Sequence, residues 1–137
     1  MADLVTIADG LPSAEEYAAM RADAGWNAVD REAVARGLPA SLAAVVARDA
    51  DGRLVGMGRV VGDGGVYLYL QDVIVLSGWR DRGIGSRITE ALLDHVRTLG
   101  GPGTFVGLMA AGGAGPFYER FGFARRPEDR PGMWLTL

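Results

Sequence analysis

Apolar and polar positions along the chain change period several times, and each change predicts an element. Leu4 to Ala8 is a short strand candidate. Ser13 with Glu16 three residues on has the form of a capping box, opening a helix to about Ala24 that Gly25 stops. A second short helix, about Asp30 to Arg36, is closed by Gly37 and Pro39. Leu42 to Arg48 and Arg53 to Val61 are rich in Val and Leu and read as strands, with Asp51-Gly52 as a hairpin turn between them. Gly62-Asp63-Gly64-Gly65 is a further turn, and Val66 to Leu76 completes a meander. From Gly83 to about Leu99 the period becomes helical: Ile84, Ile88, Ala91, Leu92, Val96 and Leu99 form one stripe. Thr104 to Met109 is a strand, which must run parallel to the one before that helix if both share a sheet. A short helix, a strand near Phe123 and a last strand near Met133 to Leu137 complete the pattern, β-α-α-β-β-β-α-β-α-β-β.

The junction between the meander and the long helix carries candidate chemistry. It reads Val73-Ile74-Val75-Leu76-Ser77-Gly78-Trp79-Arg80-Asp81-Arg82-Gly83-Ile84-Gly85-Ser86. Glycines let a backbone approach an anion closely, and the free N–H groups and dipole of a starting helix attract negative charge. A pyrophosphate is the ligand this order suits. A dinucleotide fingerprint needs a third glycine where Ile88 stands, and no Gly-Lys-Ser/Thr of a P-loop occurs. What remains is Arg80-Asp81-Arg82-Gly83-Ile84-Gly85, an Arg-x-x-Gly-x-Gly hexapeptide. Further on, Phe117-Tyr118-Glu119-Arg120-Phe121-Gly122-Phe123 gives Phe-Tyr-x-x-x-Gly-Phe, with Gly122 placed to end a helix in the left-handed conformation.

These two motifs, in this order, resemble the markers of the GNAT family of N-acetyltransferases. The resemblance covers Leu42 to Arg126 well and the first forty residues in outline. It implies an α/β (mixed α+β) GNAT fold: a central, mostly antiparallel mixed sheet flanked by helices, whose parallel fourth and fifth strands splay apart. Acyl-CoA would insert its pantetheine arm into that gap and pair with main-chain groups of Val73 and Val75. Arg80, Arg82, Gly83, Gly85 and Ser86 would surround the pyrophosphate, and Phe117 would also belong to the cofactor site. Two positions depart from the family pattern: Ser77 stands where proline is common, and Asp81 where small residues are usual. Asp81 adds a negative charge beside a phosphate site, which Arg80 or Arg82 would have to neutralise.

The resemblance also suggests roles. Tyr118 matches the tyrosine that lies near the thioester sulfur in the family, and a phenol stays protonated at neutral pH and can supply the departing thiolate with a proton. The alternative is an aromatic core position beside Phe117 and Phe121. Asp72 is an acid inside Tyr67-Leu68-Tyr69-Leu70-Gln71-Asp72-Val73-Ile74-Val75, where an unpaired carboxylate is costly. It is a candidate general base; its alternative is a buried pair with Arg59 on the neighbouring strand. Strict alternation groups Asp72 with Leu70 and Ile74, and a bulge would change that facing. A water and backbone carbonyls could replace a dedicated base. Trp26 and Tyr69 are candidates for an acceptor pocket. Glu15 and Glu16 could attract a cationic amine, though a capped, solvated helix face explains them better.

Composition narrows the field around this reading. The chain has 137 residues, 49% of them hydrophobic, enough for one domain over 1–137 with its own core. A net charge of −3 argues against a general nucleic-acid surface. There is no cysteine, hence no thiolate nucleophile or thiolate metal site, and the single His95 cannot build a multi-histidine one; no metal is expected. No basic-then-apolar leader opens the sequence and no apolar run nears the roughly 20 residues of a membrane span, so a cytoplasmic protein without membrane partner is the expectation.

The function expected is transfer of an acetyl group from acetyl-CoA to a primary amine, on a small molecule or peptide, directly within a ternary complex. The alternative is a non-catalytic acyl-CoA-binding sensor or regulatory module, compatible with every CoA-site residue. Similar proteins commonly form dimers through C-terminal strands, and Pro131-Gly132-Met133-Trp134-Leu135 offers apolar material for a homodimer.

Overall fold

A computed structural model describes residues 4–137. Five strands form one sheet in sequential order: β1 (Thr6–Asp9), β2 (Ala43–Arg48), β3 (Leu54–Gly62), β4 (Tyr67–Val75) and β5 (Phe105–Gly107). The first four pair antiparallel, as short hairpins require. β4 and β5 pair parallel, because helix α3 (Ile84–Leu99) returns the chain to the same end of the sheet. Helices α1 (Ala14–Asp23) and α2 (Arg31–Gly37) connect β1 to β2, and α4 (Gly115–Glu119) follows β5. No helix among the described residues is long and apolar enough to cross a membrane.

Local chemistry sets the helix ends. At α1 the capping box closes reciprocally, with Glu16 N–H on Ser13 Oγ at 3.1 Å and Ser13 N–H on Glu16 Oε1 at 2.9 Å. Asp30 caps α2 by accepting from Ala33 N–H at 3.0 Å. The amphipathic stripe of α3 buries Ile84, Ile88, Leu92 and Val96, and Thr89 and Leu93 with them. Thr89 can be buried because its hydroxyl donates to the Gly85 carbonyl one turn back, at 2.8 Å.

The sheet has two covered faces. On one, Val46, Met57 and Ile74 pack with Tyr17 and Met20 of α1 and with Leu38 after α2. On the other, α3 lies against β3 so closely that glycines are needed beneath it. A Cβ on Gly58 would meet Leu92 Cδ1 at 2.7 Å and Ile88 Cγ2 at 2.9 Å; one on Gly56 would meet Ile88 Cδ1 at 2.9 Å.

The chain divides into two compact units, one ending at Gly107 and one covering Leu108–Leu137. In the second, the expected strands near Phe123 and over Met133 to Leu137 do not form. Met133, Trp134 and Leu135 are at least 80% exposed, so period-2 apolar patterning there met no strand to pair with among the described residues. β5 is likewise shorter than Thr104 to Met109, and stops at Gly107.

Candidate acyl-CoA site

One extra residue in β4 inverts which main-chain groups its second half turns away from β3. Arg59 pairs with Gln71 and Met57 with Ile74, so Gly58 alone faces both Asp72 and Val73. That is a β-bulge, and Asp72 sits in it with φ of 55°. Aspartate tolerates this left-handed backbone better than most side chains do. Before the bulge, the Tyr67 carbonyl accepts from Asp63 N–H of the β3–β4 turn, while Val66 on the opposite edge accepts from Phe105 N–H. After it, Leu76 N–H donates to Val55 of β3 at 2.9 Å. The alternation has therefore inverted, and Val75 and Val73 present their main-chain groups to the edge away from β3. β5 covers that edge only through Tyr67, Leu68 and Tyr69. From Leu70 on, it carries no paired strand among the described residues, and an extended ligand with amide groups can add there as a pseudo-strand.

The bulge also corrects the facing expected from strict alternation. Leu70 lies opposite Val60, on the α3 face with Gly58, whereas Ile74 lies opposite Met57 on the α1 face. Asp72 goes with Ile74. Its Oδ2 accepts from Arg59 Nε at 2.7 Å and from the Tyr17 hydroxyl at 2.8 Å, and Arg21 Nη1 lies 3.6 Å from Oδ1. The buried pair with Arg59 is thus present, and these partners engage the carboxylate that a general base would need free. Burial, and then the Asp72 carboxylate, push the Tyr17 phenol up from its ordinary range.

The Arg80–Gly85 loop lies just past this edge. Leu76 leads into a 3₁₀ turn over Ser77–Trp79, and Gly83, with φ of 77°, sits at the N-cap of α3. No side chain caps the helix, and its first internal bond is Arg87 N–H to Gly83 at 3.1 Å. The first-turn amides of Ile84, Gly85 and Ser86 precede that bond, as in helix termini that receive anions. Arg80 folds back, its Nε donating to the Val75 carbonyl at 3.1 Å. Arg82 stacks on Trp79 at 4.9 Å and donates to Gly78 at 3.3 Å. Asp81 is held at φ of 62°.

Asp23, at the end of α1, is a residue that sequence reasoning missed. Its carboxylate accepts from Ser77 N–H and from Ser77 Oγ, both at 2.9 Å, and lies 3.8 Å from Arg80 Nη2. This explains the departure at Ser77, since proline has no N–H to donate. A serine where the family pattern has proline, just before the Arg80–Gly85 loop, was the available signal. His95 pairs across to Asp9 at 2.8 Å, well down α3 from its N-terminus.

In the second unit, α4 ends as its motif suggested. Gly122 has φ of 95°, and the N–H groups of Phe121 and Phe123 both reach the Tyr118 carbonyl, at 2.9 and 3.4 Å. The Tyr118 ring meets Phe117 edge-on at 5.0 Å and Phe123 at 6.1 Å. Burial pushes its phenol up, so it stays protonated at neutral pH.

A family model for the acetyltransferase (GNAT) domain matches residues 13–135. The chain belongs to the GNAT acetyltransferases. Among solved structures, this GNAT chain is similar to a Staphylococcus aureus protein of unknown function described as a probable acetyltransferase. The two share 34% identity and a TM-score of 0.92, over 98% of this chain and 100% of that one. A GNAT-family acetyltransferase from Streptococcus pneumoniae shares 28% identity with a TM-score of 0.81, over 97% and 98%. Glucosamine-6-phosphate N-acetyltransferase from Arabidopsis thaliana, at 17% identity and a TM-score of 0.67 over 96% and 99%, shares the fold. No curated protein matches the chain by sequence. GNAT membership makes the chain an acyltransferase, with acetyl-CoA the donor typical of the family.

Proposed function

We propose that this GNAT chain moves an acetyl group from acetyl-CoA to a primary amine of a small molecule or peptide, by direct transfer in a ternary complex. The observation that carries the reading is the inverted edge of β4. It presents Val73 and Val75 main-chain groups immediately before an arginine-bearing loop and the uncapped start of α3. Two ligand chemistries, an amide-bearing arm and a pyrophosphate, are served in the order in which CoA carries them. Val73 and Val75 would pair with the arm, and Arg80, Arg82, Gly83, Gly85 and Ser86 would receive the phosphates.

In the transfer, the amine nitrogen forms a bond to the thioester carbonyl carbon and the carbon–sulfur bond breaks. A main-chain N–H near Val73 would donate to the oxygen that gains charge. The amine must shed a proton, which costs roughly 4–5 kcal/mol for an alkyl amine of pKa about 10.4 at pH 7. Because the Asp72 carboxylate is engaged by Arg59, Arg21 and Tyr17, we assign it to holding the strand kink and leave this proton to water and backbone carbonyls. Tyr118, by its match to the family motif, would return a proton to the thiolate; Phe117 would accompany it at the cofactor.

Calorimetric titration with acetyl-CoA and CoA tests the site, using an Arg80→Ala/Gly83→Trp variant as control. Micromolar binding lost in the variant is expected. Well-folded protein that binds neither ligand would overturn the reading. With binding established, thiol release over an amine panel should fall at least tenfold in Tyr118→Phe.

A further inference from the structure

The bulge leaves a charge imbalance on the α1 face of the sheet. Asp72 supplies one carboxylate, while Arg21 and Arg59 supply two guanidiniums whose side chains are only 18% and 17% exposed. Tyr17 remains neutral, its phenol pushed up by burial and by Asp72. The nearby acid Glu16 is committed elsewhere, to Arg48 through contacts of 2.7 and 3.1 Å. The cluster therefore carries one excess positive charge that is largely withdrawn from water, an expensive state unless an anion answers it.

The free valence of the cluster can be located. Arg59 Nε is spent on Asp72, and Nη1 faces Ser41 Oγ at 3.2 Å and the Gly37 carbonyl at 3.5 Å. Arg21 directs Nε and Nη2 to the Asn27 carbonyl, at 3.0 and 2.7 Å. Arg59 Nη2 has no partner among the described contacts. No polar side-chain atom is both fully buried and unpartnered, so Nη2 reaches solvent. A largely buried guanidinium with one terminal nitrogen open to solvent, beside an ordered hydroxyl, suits an oxyanion, whether carboxylate or phosphate. Its place is also informative, because Asp72 immediately precedes Val73, whose main chain turns to the ligand edge.

The geometry points to an acceptor amine that itself bears an acidic group, carboxylate or phosphate, with Arg59 as the residue that selects it. Arg21 supports the charge from α1. This rests on the acetyl-transfer reading, under which the attacking nitrogen approaches the same stretch of β4.

Paired product-like probes test it on the whole protein with CoA present. N-acetylglycine is compared with its neutral methylamide, and N-acetylglucosamine 6-phosphate with N-acetylglucosamine, following the arginine Nε–Hε NMR signals. Arg59→Lys identifies the Arg59 signal. At least one acid should bind tenfold or more tightly than its neutral twin and shift that signal; which pair does so tells carboxylate from phosphate. The Arg59→Gln/Asp72→Asn variant, which removes Arg59 and its carboxylate together and leaves Arg21 as the cluster's one cation, should lose the preference while its thermal melt remains cooperative. Equal binding of acids and neutral twins, or a preference that survives in this variant, would overturn the proposal. Acetyl-CoA affinity is measured on the same samples. Its absence with the acid preference intact would sink the acetyl-transfer reading and leave the anion site standing.

Discussion

The two halves of β4 have similar sequences and opposite duties. Tyr67–Tyr69 is held on both sides, by β3 and by β5, and its register is that of ordinary sheet. Among the described residues Val73–Val75 pairs with a strand on the β3 side only, its alternation inverted by the residue inserted at Asp72, and Arg80 Nε donates to the Val75 carbonyl. The first half is stabilised by neighbouring backbone on both sides, whereas the second lacks a paired strand on its far side among the described residues and must be kept in shape by something else. That support is the Asp72–Arg59–Arg21–Tyr17 cluster on one face and the glycine-seated α3 on the other. One backbone defect can thus turn a strand's main-chain groups to the opposite edge, provided that side chains fix the defect in place.

Breaking the fixture should have the largest effect. Asp72→Ala leaves two half-buried guanidiniums without their carboxylate, and we expect a loss of about 3–5 kcal/mol in urea unfolding. Asp72→Gly removes the same carboxylate but accepts the positive φ, and should recover about 1 kcal/mol of that loss. Equal losses would mean that the kink carries no strain. On the opposite face, Gly58→Ala forces a methyl against Leu92 and Ile88, with an expected cost of about 1–3 kcal/mol by the same measurement.

Asp23 sharpens the comparison just past the second half of β4, where it holds Ser77 and neighbours Arg80. Asp23→Ala should weaken acetyl-CoA binding about tenfold, roughly 1.4 kcal/mol, and leave acetyl-pantetheine, which has no pyrophosphate, nearly unchanged. An equal loss for both ligands would show that Asp23 serves the whole sheet edge and not the loop.

The smallest effect belongs to a pair remote from the bulge. The Arg48 hydrogen bond is the chief cause that holds the Glu16 carboxyl down at about 2, against an ordinary 4.5. A lowered folded-state value means stability that is present above about pH 4.5 and is lost as pH falls toward 2. The pair is a third exposed, so solvent screening limits it to about 1 kcal/mol. Glu16→Gln should cost that much at pH 7, and the difference from the parent should shrink in acid unfolding curves taken down to pH 2.

Much of this architecture was legible in the chain because its signals are local. Ser13 and Glu16 bond each other within one turn, and the stripe of α3 has a period that only a helix satisfies. Arg80 to Gly85 and Phe117 to Phe123 were readable as motifs because glycine is demanded by backbone geometry at Gly83 and Gly122. The tail from Met133 misled, since period-2 apolar residues describe a strand only where a neighbour supplies the other half of its hydrogen bonds.

The sequence by itself determined the family, the order of elements as far as α4 and the glycine-bearing loop that opens α3, all of which depend on residues close along the chain. Tertiary structure alone decided which groups surround Asp72, that the Ser77 N–H finds an acceptor in Asp23, and that two guanidiniums crowd one carboxylate. Those answers depend on Tyr17, Arg21, Asp23 and Arg59, which lie 13 to 55 residues from their partners. A carboxylate's role is set by what surrounds it in space, and one inserted residue in β4 changes those surroundings without altering the hydrophobic pattern that announces the strand.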